Sequence, residues 1–453
     1  MPEFMLDRIR HGHDAPAIIR DDHVSTYVEL DAAVTRWQRC LAEHHVPPGA
    51  VVSLEGDYDL DATAAFLALA AGGQVVVPLS PVGRAQHTMF RDIAMVQWRI
   101  VLDEGPPRLV PTGEAAAATP YQVLRERGHP GLVLFSSGST GQPKAIVHDL
   151  NLLLRKFHTP RRRMVTLVFL QLDHIGGINT LFYTLSNGGT IVVAAQRSPH
   201  AVCRAIEAHA VELLPTSPTF LNLLLLSGEV ERHDLSSLKL VTYGTEPMPQ
   251  STLDRLADTL PHVELLQTYG MTEMGILRSK SREDGSLWVR IGGEGFETKV
   301  VDGRLRIRAE SAMLGYLNAP SPFDADGFFD TGDLVEIDGP WMRILGRQNE
   351  VINVGGRKVH PVEVEDVLLK CEHVIDAVVS AESNPITGQI VAATVHLKAP
   401  LAPGEARVMV QQHCRRHLEP YKVPLKVYIS DEPVHSERFK RMRGRTVPAG
   451  SGV

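Results

Sequence analysis

Strand-like and helix-like segments alternate over the first part of the chain, and this alternation constrains the fold more than any other feature. Residues 27–41 have apolar side chains at helical spacing, and a short apolar strand follows at 51–54. An apolar helix over 62–71 is stopped by Gly72 and Gly73, and the next strand covers 75–79. Strand, helix and strand at this spacing predict a βαβ unit and a parallel sheet.

The same alternation continues further along, and then the pattern changes twice. Strands are predicted over 164–170, 191–195, 238–243 and 263–267, with a helix over 199–209. Short strands and Gly-containing turns over 290–344 predict a small β-rich subdomain. Helices over 361–370 and 406–418, with strands over 374–379 and 390–397, predict a last α+β unit. The fold class is therefore α/β, with two α/β sheets and the β-rich subdomain in a large portion, residues 1–348, and a small α+β domain, residues 349–453.

Composition narrows the class of protein without naming a function. The 453 residues are 43% hydrophobic and 22% charged, as in ordinary globular chains, which excludes a disordered or fibrous protein. The net charge of −7 does not favour nucleic acid or an anionic membrane as a partner. The four cysteines are far apart, with no paired spacing typical of zinc, and fit a reducing compartment. We therefore expect a cytoplasmic protein without a membrane span, because the longest apolar run, residues 64–77, is too short to cross a bilayer.

The sharpest local signal is a glycine-rich loop between two apolar strands, residues 132–148. Glycines allow close approach of backbone N–H groups to phosphate oxygens, hydroxyls add further donors, and a lysine can supply positive charge. The loop offers all three, in Ser136, Ser137, Gly138, Ser139, Thr140, Gly141 and Lys144. It is not a Walker A loop, because the GxxxxGK[ST] spacing is missing and no helix is predicted to follow. A Ser- and Gly-rich hairpin turn without a ligand is the alternative interpretation.

The sequence SSGSTGQPK at 136–144 resembles the phosphate-binding loop of the adenylate-forming superfamily. That superfamily contains acyl-CoA synthetases, adenylation domains of nonribosomal peptide synthetases, and luciferases. Further segments that resemble the superfamily follow in order at 267–274 (QTYGMTEM), 309–316, 329–334 (FDTGDL) and 345–365. The resemblance extends over almost the whole chain, although the N-terminal subdomain looks shortened.

This resemblance implies that a carboxylate is joined to the α-phosphate of ATP and that the acyl group then passes to a thiol. The thiol would belong to coenzyme A or to the phosphopantetheine of an acyl carrier protein, and Mg²⁺ would accompany ATP. The resemblance places the glycine-rich loop on the phosphates, Tyr269 against adenine, Thr272 at the α-phosphate, Glu273 on Mg²⁺ and Asp333 with Arg347 at the ribose. Further residues would line the nucleotide and acyl pockets: Tyr243, Gly244, Thr245, Glu246, Pro247, Gly270 and Met271. A solvated loop carboxylate at Glu273, a surface ion pair at Asp333 and a strand-end turn at 243–247 are the alternatives.

The C-terminal region resembles the mobile lid domain of the superfamily. Lys440 and Arg443 keep the spacing of the superfamily's catalytic lysine segment, although Phe439 replaces its usual glycine. A solvated basic tail is the alternative. Asn349 stands at the hinge position, and Gly355 and Gly356 would line the thiol tunnel.

Residues 170–179 indicate which class of carboxylic acid is activated. His174 with Gly176 and Gly177 resembles the pocket of aryl- and acyl-activating members, whereas Asp173 is one position away from the aspartate that pairs with amino-acid substrates. We therefore predict a small aryl or acyl carboxylic acid as substrate. A packed core histidine at position 174 is the alternative.

Two other functions remain open at this stage. The acyl-adenylate could pass to an amine or another non-thiol acceptor. The chain could also be a non-catalytic nucleotide-binding homologue, since Ala145, Asn349 and Phe439 depart from the superfamily pattern.

Overall fold

The structure is a computed structural model, and it describes residues 3–102, 105–113, 116–136, 142–283, 285–293, 295–431, 434–435, 439 and 441. The predicted site residues Ser137, Gly138, Ser139, Thr140, Gly141 and Lys440 lie outside the described residues.

The helices flank the sheets of both portions. They are α1 Glu3–Arg10, α2 Tyr27–Glu43, α3 Leu60–Ala71, α4 His87–Ala94, α5 Thr119–Arg127, α6 Leu150–Leu154, α7 Ile175–Ser186, α8 Pro199–His209, α9 Pro218–Leu226, α10 Gln250–Thr259, α11 Pro361–Leu369 and α12 Pro403–His417.

The strands of the first half are β1 Pro16–Arg20, β2 His23–Thr26, β3 Val51–Glu55, β4 Val75–Leu79, β5 Trp98–Val101, β6 Arg108–Pro111, β7 Gly131–Ser136, β8 Lys144–Asp149, β9 Val165–Leu167, β10 Thr190–Val193, β11 Leu213–Thr216 and β12 Leu240–Tyr243. The strands of the second half are β13 Glu264–Gln267, β14 Tyr269–Met271, β15 Gly275–Leu277, β16 Ser279–Ser281, β17 Trp288–Ile291, β18 Phe296–Val301, β19 Arg304–Ala309, β20 Gly315–Tyr316, β21 Phe329–Asp338, β22 Trp341–Arg347, β23 Ile352–Val354, β24 Arg357–Val359, β25 Val374–Asn384, β26 Gly388–Leu397 and β27 Lys426–Ile429.

Two mixed sheets form the centre of the large portion. One has the strand order β20-β8-β7-β4-β3-β5-β6, and the other has the order β13-β12-β11-β9-β10-β1-β2. The inner strands β7, β4, β3 and β5 run parallel, as do β13, β12, β11, β9, β10 and β1. Every residue of β3 and β4 is buried, which explains why neither strand shows the alternation of apolar and polar residues typical of a half-exposed strand. The buried Glu55 of β3 forms an ion pair with Arg99 at 2.7 Å. The predicted parallel α/β sheets are confirmed.

The β-rich subdomain and the C-terminal unit follow in the predicted order. The subdomain is an antiparallel sheet of order β16-β17-β22-β21-β19-β18, and the C-terminal sheet has the order β24-β23-β26-β25, with β27 on β26. The predicted boundary falls in a 3₁₀ turn at Gln348–Glu350, between the last strand of one sheet and the first strand of the next. The mobility of the C-terminal domain about this turn remains a prediction.

Several predicted strands overrun the observed ones by one or two residues, and the largest error is at 164–170. The strand expected over 164–170 covers only Val165–Leu167, and the chain then leaves the sheet. The guanidinium of Arg197 donates to the carbonyl oxygen of Phe169 at 2.7 Å, so this carbonyl has a side-chain donor instead of a neighbouring strand. A local hydrophobic pattern does not indicate that a distant side chain donates a hydrogen bond to a backbone carbonyl. Among the described helices, none has the length and hydrophobicity needed to cross a membrane.

Candidate active site

A large cavity of about 2180 Å³ lies where the two mixed sheets, the β-rich subdomain and the C-terminal segment meet. Its walls include the carboxyl ends of the parallel strands β11, β12 and β13, which is where ligands bind in open α/β sheets. The predicted site residues on its described walls are Ser136, Lys144, His174, Gly176, Gly244, Thr245, Glu246, Pro247, Tyr269, Gly270, Met271, Thr272, Glu273, Asp333, Arg347 and Asn349. Segments that are far apart in sequence therefore converge on one space.

Tyr243 and Gly177, both predicted as pocket residues, do not line the cavity. Along β12, Leu240 and Thr242 line the cavity, whereas Tyr243 is 1% exposed and belongs to the apolar core of its sheet. Successive side chains of a strand face opposite sides, so Thr242 rather than Tyr243 faces the site. Gly177 is buried one residue beyond the wall residue Gly176, and a Cβ at Gly177 would lie 1.9 Å from a backbone carbonyl oxygen. Gly177 is therefore needed for close packing.

One end of the cavity contains a buried carboxylate with a short hydrogen bond. The phenol of Tyr269 donates to Oδ2 of Asp333 at 2.6 Å, and Nε of Arg347 lies 3.5 Å from Oδ1. Burial raises the pKa of Asp333 despite the Tyr269 hydrogen bond and the positive charge of Arg347. Burial, followed by the charge of Asp333, also holds the pKa of Tyr269 well above its usual range. The carboxylate is thus desolvated and held in one orientation, which suits an acceptor for ligand hydroxyls.

A second polar group lies where strands β7 and β8 meet the cavity. Ser136 and Lys144 are paired residues of the β7–β8 hairpin, at the two ends of the glycine-rich loop. The ammonium of Lys144 lies 5.0 Å from the centre of the Tyr316 ring, and the Tyr316 phenol donates to Oε1 of Glu273 at 3.0 Å. Tyr316 therefore connects the loop lysine to the carboxylate of the 267–274 segment. The sequence had placed it only at the end of a family-like stretch, without a role.

The backbone next to Glu273 is fixed by a buried histidine. Nε2 of His148 lies 2.6 Å from the carbonyl oxygen of Thr272, so this nitrogen is the donor. Burial lowers the pKa of His148 to about 4, which keeps the imidazole neutral near pH 7. His148 thus positions the Thr272–Glu273 peptide from β8. No sequence signal distinguished it from other apolar-flanked histidines.

The turn after β12 is shaped by close approach and by an unusual backbone. A Cβ at Gly244 would come within 2.8 Å of the carbonyl oxygen of Thr268, so only glycine fits there. Thr245 has φ of 74°, in the left-handed region. The Glu246 carboxylate accepts hydrogen bonds from the amide of Thr219 at 2.9 Å and from the amide of Arg441 at 3.2 Å. Glu246 therefore joins the cavity wall to the C-terminal segment.

The C-terminal segment enters the cavity on both sides of position 440. Phe439 and Arg441 both line the cavity. The hydroxyl of Ser217 donates to the carbonyl oxygen of Phe439 at 2.9 Å, and the Arg441 guanidinium forms an ion pair with Glu365 at 2.6 Å, with side-chain exposures of 3% and 0%. Residues 439 and 441 are therefore both held at the site, and Lys440 lies outside the described residues.

Phe439 explains one departure from the superfamily pattern. Its φ is 51°, the left-handed region in which glycine is favoured, which accounts for the usual glycine at this position. Its ring lies 5.3 Å from those of Phe169 and Phe220 and 5.2 Å from that of His435, measured between centroids. Phe439 lacks the conformational freedom of glycine, and the packing of its ring against these aromatic side chains stabilises the left-handed backbone instead.

The predicted acyl pocket and thiol residues are separate from one another. His174 caps α7, with its Nδ1 accepting from the amide of Gly176 at 3.0 Å, and its side chain also lines the cavity. The neighbouring Asp173 accepts from the hydroxyl of Ser80 at 2.8 Å. Gly355 and Gly356, with φ of 57° and 83°, form an exposed hairpin turn between β23 and β24 and do not belong to the described cavity walls.

Comparison with known proteins identifies the family. The AMP-binding enzyme family matches residues 87–317, just over half of the chain, and the AMP-binding enzyme C-terminal domain matches residues 363–440. The chain belongs to the AMP-binding enzyme family. The predicted membership of the adenylate-forming superfamily is therefore confirmed, and so is the prediction of an acid–thiol ligase.

Curated relatives and solved structures agree over nearly the full length. The chain is similar to the 2-succinylbenzoate–CoA ligase of Bacillus subtilis, with 24% identity over 100% of this chain and 98% of that protein. Its fold matches the anthranilate CoA ligase AuaEII in complex with anthranoyl-AMP, with a TM-score of 0.81, 20% identity, and coverage of 96% and 95% of the two chains. It also matches the amide bond synthetase McbA of Marinactinospora thermotolerans, with a TM-score of 0.73, 21% identity, and coverage of 96% of each chain. These structures support the α/β fold with its small C-terminal domain.

Proposed function

We propose that this enzyme activates a small aryl or acyl carboxylic acid with ATP and then transfers the acyl group to a thiol of coenzyme A or of a carrier-protein pantetheine. The observation that carries the proposal is the convergence, on one cavity, of the loop residues Ser136 and Lys144, of Thr272 and Glu273, and of the buried Asp333. Such a site offers cationic and hydroxyl groups for phosphates at one end and a desolvated carboxylate for a sugar at the other.

The first step joins two anions, so positioning and charge neutralisation determine its rate. A carboxylate oxygen of the acid attacks the α-phosphorus of ATP, the bond from that phosphorus to the bridging oxygen breaks, and pyrophosphate leaves. Lys144 neutralises the departing phosphates, and Thr272 contacts the α-phosphate from a peptide that His148 fixes. Lys440, between two residues held in the cavity, bridges the acid and the α-phosphate.

The Glu273 carboxylate fits the magnesium ion that accompanies ATP in this proposal. Glu273 is half-buried, lines the cavity and offers oxygen ligands, which hard cations prefer. The Tyr316 phenol that donates to Oε1 orients the carboxylate without neutralising it. Magnesium, when bound, offsets the negative charge of the phosphates.

Asp333 accepts the two ribose hydroxyls, and Arg347 supports it. The Asp333 carboxylate is buried, and the hydrogen bond from Tyr269 fixes its orientation before the nucleotide binds. Pre-orientation lowers the entropy lost on binding.

The acyl end favours a substrate without an ammonium group. Oδ2 of Asp173 accepts from both the hydroxyl and the amide of Ser80, at 2.8 and 3.4 Å, so the protein fixes the orientation of this carboxylate. Leu170, Ile175 and Ile276 give this part of the wall an apolar character. An aryl or acyl group suits such a wall, in keeping with the acids named for the 2-succinylbenzoate and anthranilate ligases.

The second step breaks the acyl-adenylate. The thiol sulfur attacks the acyl carbon, the bond to the AMP oxygen breaks, and AMP leaves while the thiol gives up its proton. Because Phe439 and Arg441 occupy the cavity in this structure, Gly355 and Gly356 must reach it by rotation at Asn349. We therefore assign the described arrangement to the adenylation step.

The test is carboxylate-dependent exchange of labelled pyrophosphate into ATP. The panel should contain 2-succinylbenzoate, anthranilate, 4-coumarate, an aliphatic acid and α-amino acids, and each active acid is then offered to coenzyme A. Exchange with an aryl or acyl acid and thioester formation are expected. Lys440→Ala should reduce exchange by at least 100-fold, given the usual size of a lost transition-state contact. Lys426→Ala is the matched control and should leave exchange unchanged. Lys426 lies on β27 and forms an exposed ion pair with Glu382 of β25.

The remaining outcomes separate the alternatives. Exchange without a coenzyme A thioester directs the second assay to a pantetheine carrier and to amines, and an amide product would place this enzyme with the amide bond synthetase instead. ATP binding without exchange for any acid would refute the proposed chemistry and favour a nucleotide-binding homologue.

A further inference from the structure

A group of metal-ligating side chains lies away from the active site. His200 on α8 and Glu229 and His233, which follow α9, bring one ligand atom each within 4.8 Å of one another. None of the three is among the described residues that line the active-site cavity. This group is therefore independent of the proposed function.

The hydrogen bonds of His233 leave an unsatisfied contact between two acceptors. Its Nδ1 lies 2.8 Å from Oε2 of Glu207, and a carboxylate only accepts, so Nδ1 carries the proton. In a neutral imidazole Nε2 then presents a lone pair, yet Nε2 lies 3.3 Å from Oε2 of Glu229. A positive species between the two atoms removes the repulsion between their lone pairs. That species is either a second proton or a metal ion.

We propose that His200, Glu229 and His233 bind a divalent transition-metal ion of the zinc type. Two imidazole nitrogens and a carboxylate oxygen form a ligand set typical of zinc with one open position, and nitrogen ligands disfavour Mg²⁺ and Ca²⁺. The side chain of His200 is 66% exposed, so water completes the coordination.

The surroundings of this group have the features of a metal site. Glu207 holds the second nitrogen of His233, which fixes the tautomer and increases the basicity of Nε2, as carboxylates do behind zinc-bound histidines. Arg232 lies 2.9 Å from Oε1 of Glu229 and leaves Oε2 toward the imidazoles. Local charge is negative, because Glu229, Glu231 and Glu207 add to burial in raising the pKa of the Cys203 thiol to about 12.

The geometry needs a small adjustment. Ligand atoms about 2.05 Å from a tetrahedral zinc ion lie about 3.4 Å apart. Nδ1 of His200 donates to Oε2 of Glu229 at 2.8 Å and gives up this proton when the ion binds, while Nε2 of His233 lies 3.3 Å from the same oxygen. The largest separation in the group, at most 4.8 Å, must shrink by no more than about 1.4 Å. Rotation of the exposed His200 supplies this change while His233, 13% exposed, stays in place.

The test is calorimetric titration of the full-length, chelator-treated protein with Zn²⁺ at pH 7.5, with the Co²⁺ absorption spectrum as a second measurement. One bound ion is expected. His200→Ala and His233→Ala should each weaken binding at least tenfold, and Glu207→Gln about tenfold as a positioning residue. Binding should also weaken at pH 5.5, because protons compete for the imidazoles.

His209→Ala is the matched control. His209 is on the same helix and pairs with the exposed Asp22 at 3.4 Å, so its removal should leave the zinc affinity unchanged. If a variant does not fold, the stoichiometry and the Co²⁺ spectrum of the parent still decide. No Zn²⁺ binding by the parent, or equal losses for His200→Ala and His209→Ala, would overturn the proposal.

Discussion

Phe439 provides a direct test of how the C-terminal segment is held in the active site. Its ring contacts stabilise the docked segment, whereas its φ of 51° destabilises it. Removing a fully buried phenylalanine ring costs about 3–5 kcal/mol, so a half-buried ring should contribute about 2 kcal/mol. A left-handed backbone costs a non-glycine residue about 1 kcal/mol. The two contributions can be separated by two substitutions at this one position.

Phe439→Ala loses the ring and keeps the strained backbone, so docking should weaken by about 2 kcal/mol, or about 30-fold. Phe439→Gly loses the same ring but relieves the backbone, so docking should weaken by only about 1 kcal/mol, or about fivefold. The order, alanine worse than glycine, follows from the sign of φ alone.

The assay is hydrogen exchange of the Arg441 amide, which donates to Glu246 at 3.2 Å only when the segment is docked. Its protection should fall by the factors above, while amides in β26, at the centre of the C-terminal sheet, serve as an internal control. The rate of pyrophosphate exchange should fall in the same order. Equal protection in both variants, or lower protection with glycine than with alanine, would refute the reasoning.

Three other predictions concern binding and stability. Burial raises the pKa of Asp333, so the folded state holds the proton of this carboxyl group more tightly than the unfolded state does. The stability that this group contributes is therefore present below the unfolded pKa and is lost as pH rises through the folded pKa. Asp333→Asn should therefore unfold at no lower denaturant concentration than the parent at pH 7 while its ATP affinity drops about tenfold or more; lower stability with unchanged ATP binding would contradict this. Glu365→Gln removes the ionised carboxylate that lies 2.6 Å from the 3% exposed guanidinium of Arg441, so the unfolding free energy of the C-terminal unit should fall by about 3 kcal/mol in urea titrations. A change within error would show that the pair is dispensable. Gly177→Ala meets a backbone oxygen at 1.9 Å and should cost about 3 kcal/mol, whereas Gly176→Ala meets a movable leucine methyl at 2.5 Å and should cost about 1 kcal/mol; equal thermal shifts would argue against this close packing of α7.

Much of the fold follows from local patterns. The helix predicted over 199–209 is α8, and the buried strands β3 and β4 begin at the predicted residues, because long periodic segments and continuous apolar runs have few alternative structures. The strand at Val165–Leu167 is shorter than predicted, and beyond it a distant arginine, Arg197, donates to the carbonyl oxygen of Phe169. Local patterns cannot include such a donor.

The site divides in the same way. The sequence indicated the glycine-rich loop, Glu273 and Asp333, since each belongs to a short segment of recognisable chemistry. It misplaced Tyr243, because a shift of one position along a strand turns a side chain from the cavity to the core. It also gave no role to His148, whose effect on Thr272 depends on a contact between residues 124 positions apart.

The sequence by itself thus determined the α/β class, the order of the sheets and the family to which the chain belongs, because these depend on periodicity and on contiguous motifs. Only the tertiary structure decided that Tyr316 orients Glu273, that Phe439 is bent and packed among aromatic rings, and that Arg441 pairs with Glu365 in the interior. These contacts join segments that no spacing rule connects. They form because folding removes water from several surfaces at once, and each buried polar group must then find a partner wherever the chain provides one.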